Sequence, residues 1–267
     1  MMEKGTTFVV ELKRFFSSRG QSMLETALFL PVLLLLIAGM VEIGVYALSY
    51  MAFLDASRES ARFGTSLDPE LTSQYPLDMR PAQPPFPDVR FPAIGGTDPD
   101  MTLEELETLC REGESNNFYY ELACLAFQNV PGGAFTPEEG DDIVVTVIGV
   151  ENGQIEHRWP LASHAHPNDW AYHFRGVSDG DVNASCTAAA LDNCRCWSLY
   201  GIRSSQLGND VLTGRLLASA PSTGFVIVEI FHAHPQIVGL FGIGDIIPDP
   251  IQTQTYTIFP VPAAEPD

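Results

Sequence analysis

Histidines are the residues of this chain whose spacing comes nearest to that of a metal site. Two H-x-H pairs occur, His164 with His166 and His232 with His234. On a β-strand both rings of such a pair point to one face, a spacing compatible with zinc binding. The paired C-x-x-C spacing of structural zinc sites is missing, and solvent-facing or hydrogen-bonded histidines are the commoner explanation. We therefore expect no cofactor and keep zinc as the alternative.

One acidic loop begins like a calcium-binding loop. Asp179, Asp181 and Asn183 place oxygen side chains at its first, third and fifth positions. Ala184 stands where an EF-hand needs glycine, and Ala190 stands where it needs a bidentate glutamate, so an EF-hand is excluded. A looser calcium site stays an alternative because bound Ca²⁺ would relieve the repulsion within so acidic a chain.

Five cysteines predict two disulfides and one remaining thiol, provided that they lie in an oxidising compartment. They are Cys110, Cys124, Cys186, Cys194 and Cys196. A bridge from Cys110 to Cys124 would join two short predicted helices. Cys186 could pair with Cys194 or with Cys196, and the sequence leaves both pairings open.

Signatures of catalysis are missing from the chain. It contains no nucleophile elbow, phosphate-binding loop or dinucleotide fingerprint, so we expect it not to be an enzyme. With 14 basic and 34 acidic residues its formal net charge is −20. Nucleic acid is not an expected partner, because phosphate binding needs clustered lysine and arginine.

An apolar N-terminal helix must position whatever site the chain carries. Residues 26–41, TALFLPVLLLLIAGMV, have no charge, and a second uncharged run follows Glu42. Together the two runs are long enough to cross a bilayer. The first 20 residues are basic, whereas the chain after Phe63 holds eight arginines, no lysine and 28 acidic residues. By the positive-inside rule, the N-terminus is cytoplasmic and the C-terminal domain is extracytoplasmic.

Beyond the apolar run, small side chains recur every four residues at Ala52, Ala56 and Ser60. Such a stripe makes a face on which another element can pack closely. Charged residues lie on the other faces of the predicted helix. We therefore expect the helix to continue out of the membrane as a stalk, until Gly64 ends it.

Two ordinary explanations of the apolar segment are an uncleaved signal anchor and a secretory signal peptide. Ala47-Leu48-Ser49 offers the small residues that signal peptidase needs. However, the apolar run begins unusually far from the N-terminus, and the small-residue stripe continues past that cut. The alternative function is therefore an uncleaved signal-anchored or secreted envelope binding protein, with metal binding as one version.

The string RGQSMLETALFLPVLLLLIAGMVEIG, residues 19–44, resembles the start of TadE-like proteins of the tight adherence, or Flp-type, pilus system. Such pseudopilin subunits resemble type IV pilins in having a basic leader that ends in glycine and a glutamate five residues after the cut. The resemblance implies a cut between Gly20 and Gln21 and an assembly role for Glu25. It also implies a set of partners: prepilin peptidase, membrane lipid, other pilin or pseudopilin subunits, and the Tad assembly machinery.

The cost of placing the Glu25 carboxylate in a membrane also fits this resemblance. A carboxylate inside a bilayer costs roughly 2.5 to 3.5 kcal/mol on insertion scales, so it favours a nearby cation. The α-amine that the cut would create on Gln21, in the same or a neighbouring subunit, can supply that charge. The resemblance implies that this pair sets the helix register in a filament. The alternative is that Glu25 is an interfacial residue of an anchor.

The sequence divides into a leader, a helix, a linker and a domain. The boundaries are 1–20 for the leader, 21–63 for the transmembrane and stalk helix, 64–100 for a Pro-rich arm and 101–267 for the acidic extracytoplasmic domain. Within the domain, short helices are predicted near 102–111 and 117–129, and strands are predicted at 223–232 and 253–261.

The hairpin signal Asn152-Gly153 lies between two further β runs. The predicted fold class is α+β, with short helices and an antiparallel β-sheet. The string VIVEIFHAHPQIVGLFG, residues 226–242, also resembles the C-terminal part of TadE-like chains.

Overall fold

The structure is a computed structural model, and its described part of the chain is discontinuous. It describes residues 18–67, 110, 118–131, 135–136, 139–159, 172–173, 186–191, 194–199, 203–216, 222–237 and 249–261. The helices are α1 (Ser18–Gly64), α2 (Phe118–Asn129) and α3 (Asn209–Thr213). The strands are β1 (Asp142–Glu151), β2 (Gln154–Trp159), β3 (Tyr172–His173), β4 (Cys196–Ser198), β5 (Thr223–His234) and β6 (Ile251–Val261).

The chain divides into two compact units. The first comprises Met1–Ala47 with Pro235–Asp249, and the second comprises Leu48–His234 with Pro250–Asp267. The boundary falls inside α1, so the last part of the predicted stalk belongs to the same unit as the β-sheet.

In the first unit, α1 runs without interruption past Pro31. From Met23 onward it is the one helix in the described part that is long and apolar enough to cross a membrane. Its leucines, isoleucines and valines from residue 24 to residue 43 are exposed. In water such a surface is unfavourable, which fits a helix surrounded by lipid or by other helices.

The second unit contains an antiparallel sheet in the order β3-β4-β1-β5-β6. β2 also pairs with β1, along the C-terminal half of that strand. β1 is buried at nine of its ten positions because it lies in the centre of the sheet and is covered on both faces. Its residues VVTVIGV are rich in β-branched side chains, which favour a pleated, buried strand.

The predicted hairpin is confirmed at Asn152-Gly153, which joins β1 to β2. Both residues have positive φ, 51° and 74°. A two-residue turn with positive φ at both positions matches the right-handed twist of the flanking strands, and Asn-Gly adopts it with little strain.

One face of the sheet is covered by helices. Its aliphatic side chains include Val145 and Val147 of β1 and Val226 and Val228 of β5. They share one apolar cluster with the inner face of α2 and with the end of α1, from Phe53 onward. The opposite face packs against Leu207, just before α3, and against Leu212 within α3.

The predicted α+β class is confirmed, as are the long N-terminal helix and the antiparallel sheet. The short strands β3 and β4 and the helix α3 were not predicted. Of the predicted helix 102–111 only Cys110 is described, and of the predicted arm 64–100 only the first four residues are described.

Candidate functional site

The residues implied in processing and assembly lie at the start of α1. Gly20 and Gln21 are within the helical backbone. Glu25 is exposed, as are the apolar residues on either side of it, Leu24 and Leu28. Because Glu25 is in an apolar surface, burying that surface in lipid or among helices favours a cation beside the carboxylate.

Glu42 interrupts the apolar surface of α1, and the structure gives it a specific contact. Both oxygens of its carboxylate accept the backbone N–H of Ile237 at 3.1 Å. Glu42 is half-buried. A charge-assisted bond of this kind joins α1 to the chain segment that follows β5.

The small-residue stripe of α1 packs within the chain's own second unit. Ala56 and Ser60 are buried and Ala52 is half-buried. The Ser60 hydroxyl donates to the backbone carbonyl of Leu122 in α2, with an Oγ–O distance of 2.6 Å. The stripe therefore allows α1 to approach α2 closely, and its buried part is not available to a neighbouring subunit.

Two further contacts fix the end of α1. Ser57 shares a hydrogen bond with Thr257 of β6, with 2.8 Å between the hydroxyl oxygens. A Cβ added to Gly64 would meet the Cδ2 atom of Leu122 at 2.7 Å. Gly64 is not among the residues with positive φ, so close approach to α2, rather than a left-handed helix cap, explains the glycine.

His232 of β5 lies in a structural pair rather than in an open site. Its Nδ1 is 3.0 Å from Oδ2 of Asp141, and both side chains are buried. Oδ1 of Asp141 accepts the backbone N–H of Ala233. The ring of Phe53 lies 4.3 Å from the His232 ring. These contacts join the end of α1, β5 and the turn before β1.

One of the two histidine pairs proposed for a metal site lies within the described residues. The rings of His232 and His234 are 6.0 Å apart and both are buried. His164 and His166 lie outside the described residues, as do Asp179, Asp181 and Asn183 of the calcium-like loop. In the described part, no three histidine, cysteine or acidic side chains are grouped as metal ligands.

The cysteines form two pairs. Cys110 is bonded to Cys124 of α2, and Cys186 is bonded to Cys194. Of the two pairings that the sequence left open for Cys186, the structure contains the one with Cys194. Cys196 remains a buried free thiol.

A buried polar cluster, which we call the Arg158 cluster, lies on the sheet face opposite α2. It consists of Arg158, Arg195, Cys196, Ser205 and Glu229, all buried. Nε of Arg158 donates to the backbone carbonyl of Arg195, and Nη1 donates to Oδ1 of Asn209. Glu229 accepts the backbone N–H of Gln206 and the side-chain amide of Gln254.

Burial disfavours the charged forms of the titratable groups in the Arg158 cluster. Burial raises the pKa of the Cys196 thiol to about 12 and raises the pKa of Glu229 above its usual value. Burial also lowers the pKa of Arg158 to about 10. A buried thiol that stays protonated is a poor nucleophile. The cluster is therefore suited to joining β2, β4 and β5.

Neither the Arg158 cluster nor the contact of Glu42 with Ile237 is apparent from the sequence. Strict alternation in β2 would place Arg158 on the face opposite Ile155. A register shift between Gly149 and Val150 brings both side chains to the same face. A bulge of this kind leaves no dependable signal in a single sequence.

Comparison with known proteins gives one match. Residues 20–62 match the family model described as TadE-like protein. No curated protein and no solved structure matches the chain. The matched residues coincide with α1 from the glycine of the implied cut to two residues before the helix ends. The segment that forms α1 is therefore TadE-like, and the resemblance noted in its sequence is confirmed.

Proposed function

We propose that this chain is a minor pilin or pseudopilin of a tight adherence, or Flp-type, pilus system. In this proposal a prepilin peptidase cuts after Gly20, and α1 holds the mature subunit in the membrane with the acidic domain outside. The helix then packs against other pilin-like subunits during assembly by the Tad machinery. The observation that carries the proposal is the match of residues 20–62 to the TadE-like family.

The surface of α1 supports this use of the helix. From Met23 to Met51 it exposes large apolar side chains. At 1.5 Å per residue this part is about 43 Å long, more than the ~30 Å of a hydrocarbon core. Exchanging lipid for neighbouring helices keeps this surface out of water throughout. Such a helix can leave a membrane for a helical bundle without a large hydrophobic penalty.

The carboxylate of Glu25 sets the register of the helices in the bundle. Glu25 follows the proposed cut by five residues, and the cut would create an α-amine on Gln21. A buried carboxylate is stabilised most when a cation lies directly beside it, so a helix shifted along its axis would lose that contact. Pairing between subunits would then select one axial position for each helix.

Processing is tested by the N-terminal residue of the mature protein in cells with an active prepilin peptidase. We expect the protein to begin at Gln21, and Gly20→Val to leave it uncut. Gly39→Ala is the matched control, because a Cβ at Gly39 meets nothing within 4 Å. An intact Met1 in the unsubstituted protein would instead favour an uncleaved signal anchor.

Assembly is tested with Glu25→Ala in the same cells. We expect normal membrane insertion and loss of incorporation into pili or Tad complexes. Glu59→Ala is the control, because Glu59 forms only an exposed ion pair with Arg62, and such pairs contribute little. Normal incorporation of Glu25→Ala would return Glu25 to the role of an interfacial residue.

A further inference from the structure

β6 is an edge strand that is unusually well suited to pairing. It is 11 residues long and pairs with β5 in one continuous register without a bulge. Its sequence, IQTQTYTIFPV, contains no charged residue, although the chain has a net charge of −20. Edge strands are normally protected from further pairing by charges, bulges or short length. β6 has none of these three protections, and its one proline, Pro260, lies next to its last residue.

Side chains on both faces of β6 hold the strand in place. Ser57 contacts Thr257 on the helix-covered face. On the other face, Gln254 donates to Glu229, and Arg215 donates to the hydroxyl of Tyr256 at 2.6 Å. The strand is therefore ordered before any partner arrives, which lowers the entropy cost of adding another strand.

Pro260 shows which backbone groups point away from β5. Proline lacks an N–H and is found in edge strands where its nitrogen faces away from the sheet. In a regular strand the residues at every second position share that direction, so the N–H groups of Gln254, Tyr256 and Ile258 also point outward. Among the described residues, no backbone hydrogen bond other than those with β5 involves β6.

We propose that this outward edge of β6 is a docking site for β6 of a second copy of the chain. The two strands would run antiparallel, in a register centred on Tyr256. Gln254 would then pair with Ile258 of the other copy, giving about eight backbone hydrogen bonds across the interface. Pro260 would meet Gln252, so its missing N–H removes only one bond at each end.

The side chains of β6 are compatible with pairing to themselves. In this register Thr255 lies opposite Thr257 of the second copy, and Thr253 lies opposite Phe259. Cross-strand threonine pairs and aromatic pairs with β-branched residues are favourable. Two copies of so acidic a chain repel each other over most of their surfaces, and the uncharged edge of β6 allows close approach. The matching side chains favour a second copy of β6, and the absence of charge in β6 disfavours a partner that needs ionic contacts.

Cysteine crosslinking of the full-length chain in detergent tests the register. With Tyr256→Cys the two introduced residues would lie opposite each other, about 5.5 Å apart between Cα atoms. We expect a covalent dimer under mild oxidation. Gln252→Cys lies on the same strand and is also exposed, but its two copies would be about 27 Å apart. We expect no dimer from that control, and equal crosslinking of both variants would overturn the register.

Removal of an outward N–H tests the edge itself. Ile258→Pro deletes one outward donor and leaves the bonds to β5 in place, whereas Ile258→Val keeps the donor. We expect the mass of the particle to fall from dimer to monomer for Ile258→Pro only, with the circular dichroism of the sheet retained. Hydrogen exchange at Gln254 and Tyr256 should become fast in the same variant. A monomer in which these amides are already protected, or crosslinking only to a different protein, would overturn the proposal.

Discussion

The two parts of α1 differ in the size and the exposure of their side chains. From Met23 to Met51, large apolar side chains are exposed, for example Leu28 at 68% and Met40 at 75%. From Phe53 to Gly64, the buried positions are filled mainly by alanine, serine and glycine. The first part depends on lipid or other subunits to cover it, whereas the second is already covered by its own domain.

The difference shows that one helix can serve two purposes because its side-chain size changes along its length. Large aliphatic residues give the most favourable burial in lipid or among helices. Small residues let a helix backbone approach its neighbour, as Gly64 approaches Leu122. The TadE-like match spans both parts. Substitutions in the second part should therefore affect folding, and those in the first part should affect assembly.

The largest difference in stability should be between the buried Glu229 of the domain and the exposed Glu25 of α1. An ionised carboxylate that is fully buried costs several kcal/mol. Burial raises the pKa of Glu229, whose usual value is 4.5. Between pH 4.5 and that higher pKa, the folded domain therefore holds a proton that the unfolded chain has lost. The free energy of unfolding should consequently fall as the pH rises from 4.5 through the higher pKa of the folded state. Denaturant unfolding of the full chain in detergent at several pH values measures this fall.

Glu229→Gln should remove that part of the pH dependence, because the amide does not titrate. Its acceptor oxygen can still receive the N–H of Gln206. Glu25→Gln, in the exposed part of α1, should leave the pH dependence of the domain unchanged. Equal slopes for the Glu229 variant and the unsubstituted protein would show that Glu229 is ionised in the folded domain.

The next largest difference should appear when an alanine is enlarged in each part of α1. Ala56→Leu adds three carbon atoms at a position that is 1% exposed, beside the sheet. Overpacking of this kind costs about 1 to 3 kcal/mol. Ala47→Leu, at an exposed position of the same helix, should change the unfolding free energy by less than about 0.5 kcal/mol. Thermal unfolding followed by near-ultraviolet circular dichroism measures both variants.

The contrast between the two variants is the critical outcome. If Ala56→Leu left the domain as stable as Ala47→Leu does, the small side chains of the stripe would not be needed for packing inside the domain. They would then be available for contacts between subunits.

Local signals predicted much of this fold. The uncharged run around Pro31 and the small residues up to Gly64 gave the length of α1, and Asn152-Gly153 gave the β1–β2 hairpin. Each of these depends on residues close together in the sequence. Processing at Gly20 and the assembly role of Glu25 stay predictions, because both depend on partners.

Contacts between distant residues could not be predicted in the same way. Glu42 meets Ile237 across 195 positions, and Arg158 meets Asn209 across 51. A single sequence gives no indication of which distant backbone group a buried arginine or a carboxylate will bind. The packing partner of the stripe was also hidden, because small residues at four-residue spacing suit an intramolecular and an intersubunit contact equally well.

The smallest difference should be between the loss of a buried and the loss of an exposed serine hydrogen bond. Ser60→Ala removes the buried bond from the hydroxyl to the carbonyl of Leu122 and should lower the unfolding free energy by about 0.5 to 1.5 kcal/mol. Ser66→Ala removes a similar bond, to the carbonyl of Phe63, at an exposed position beyond the end of α1. Water can replace that bond, so its loss should be close to zero. Chemical denaturation of both variants tests whether Ser60 holds α1 on α2, since equal losses would mean that the buried bond contributes no more than the exposed one.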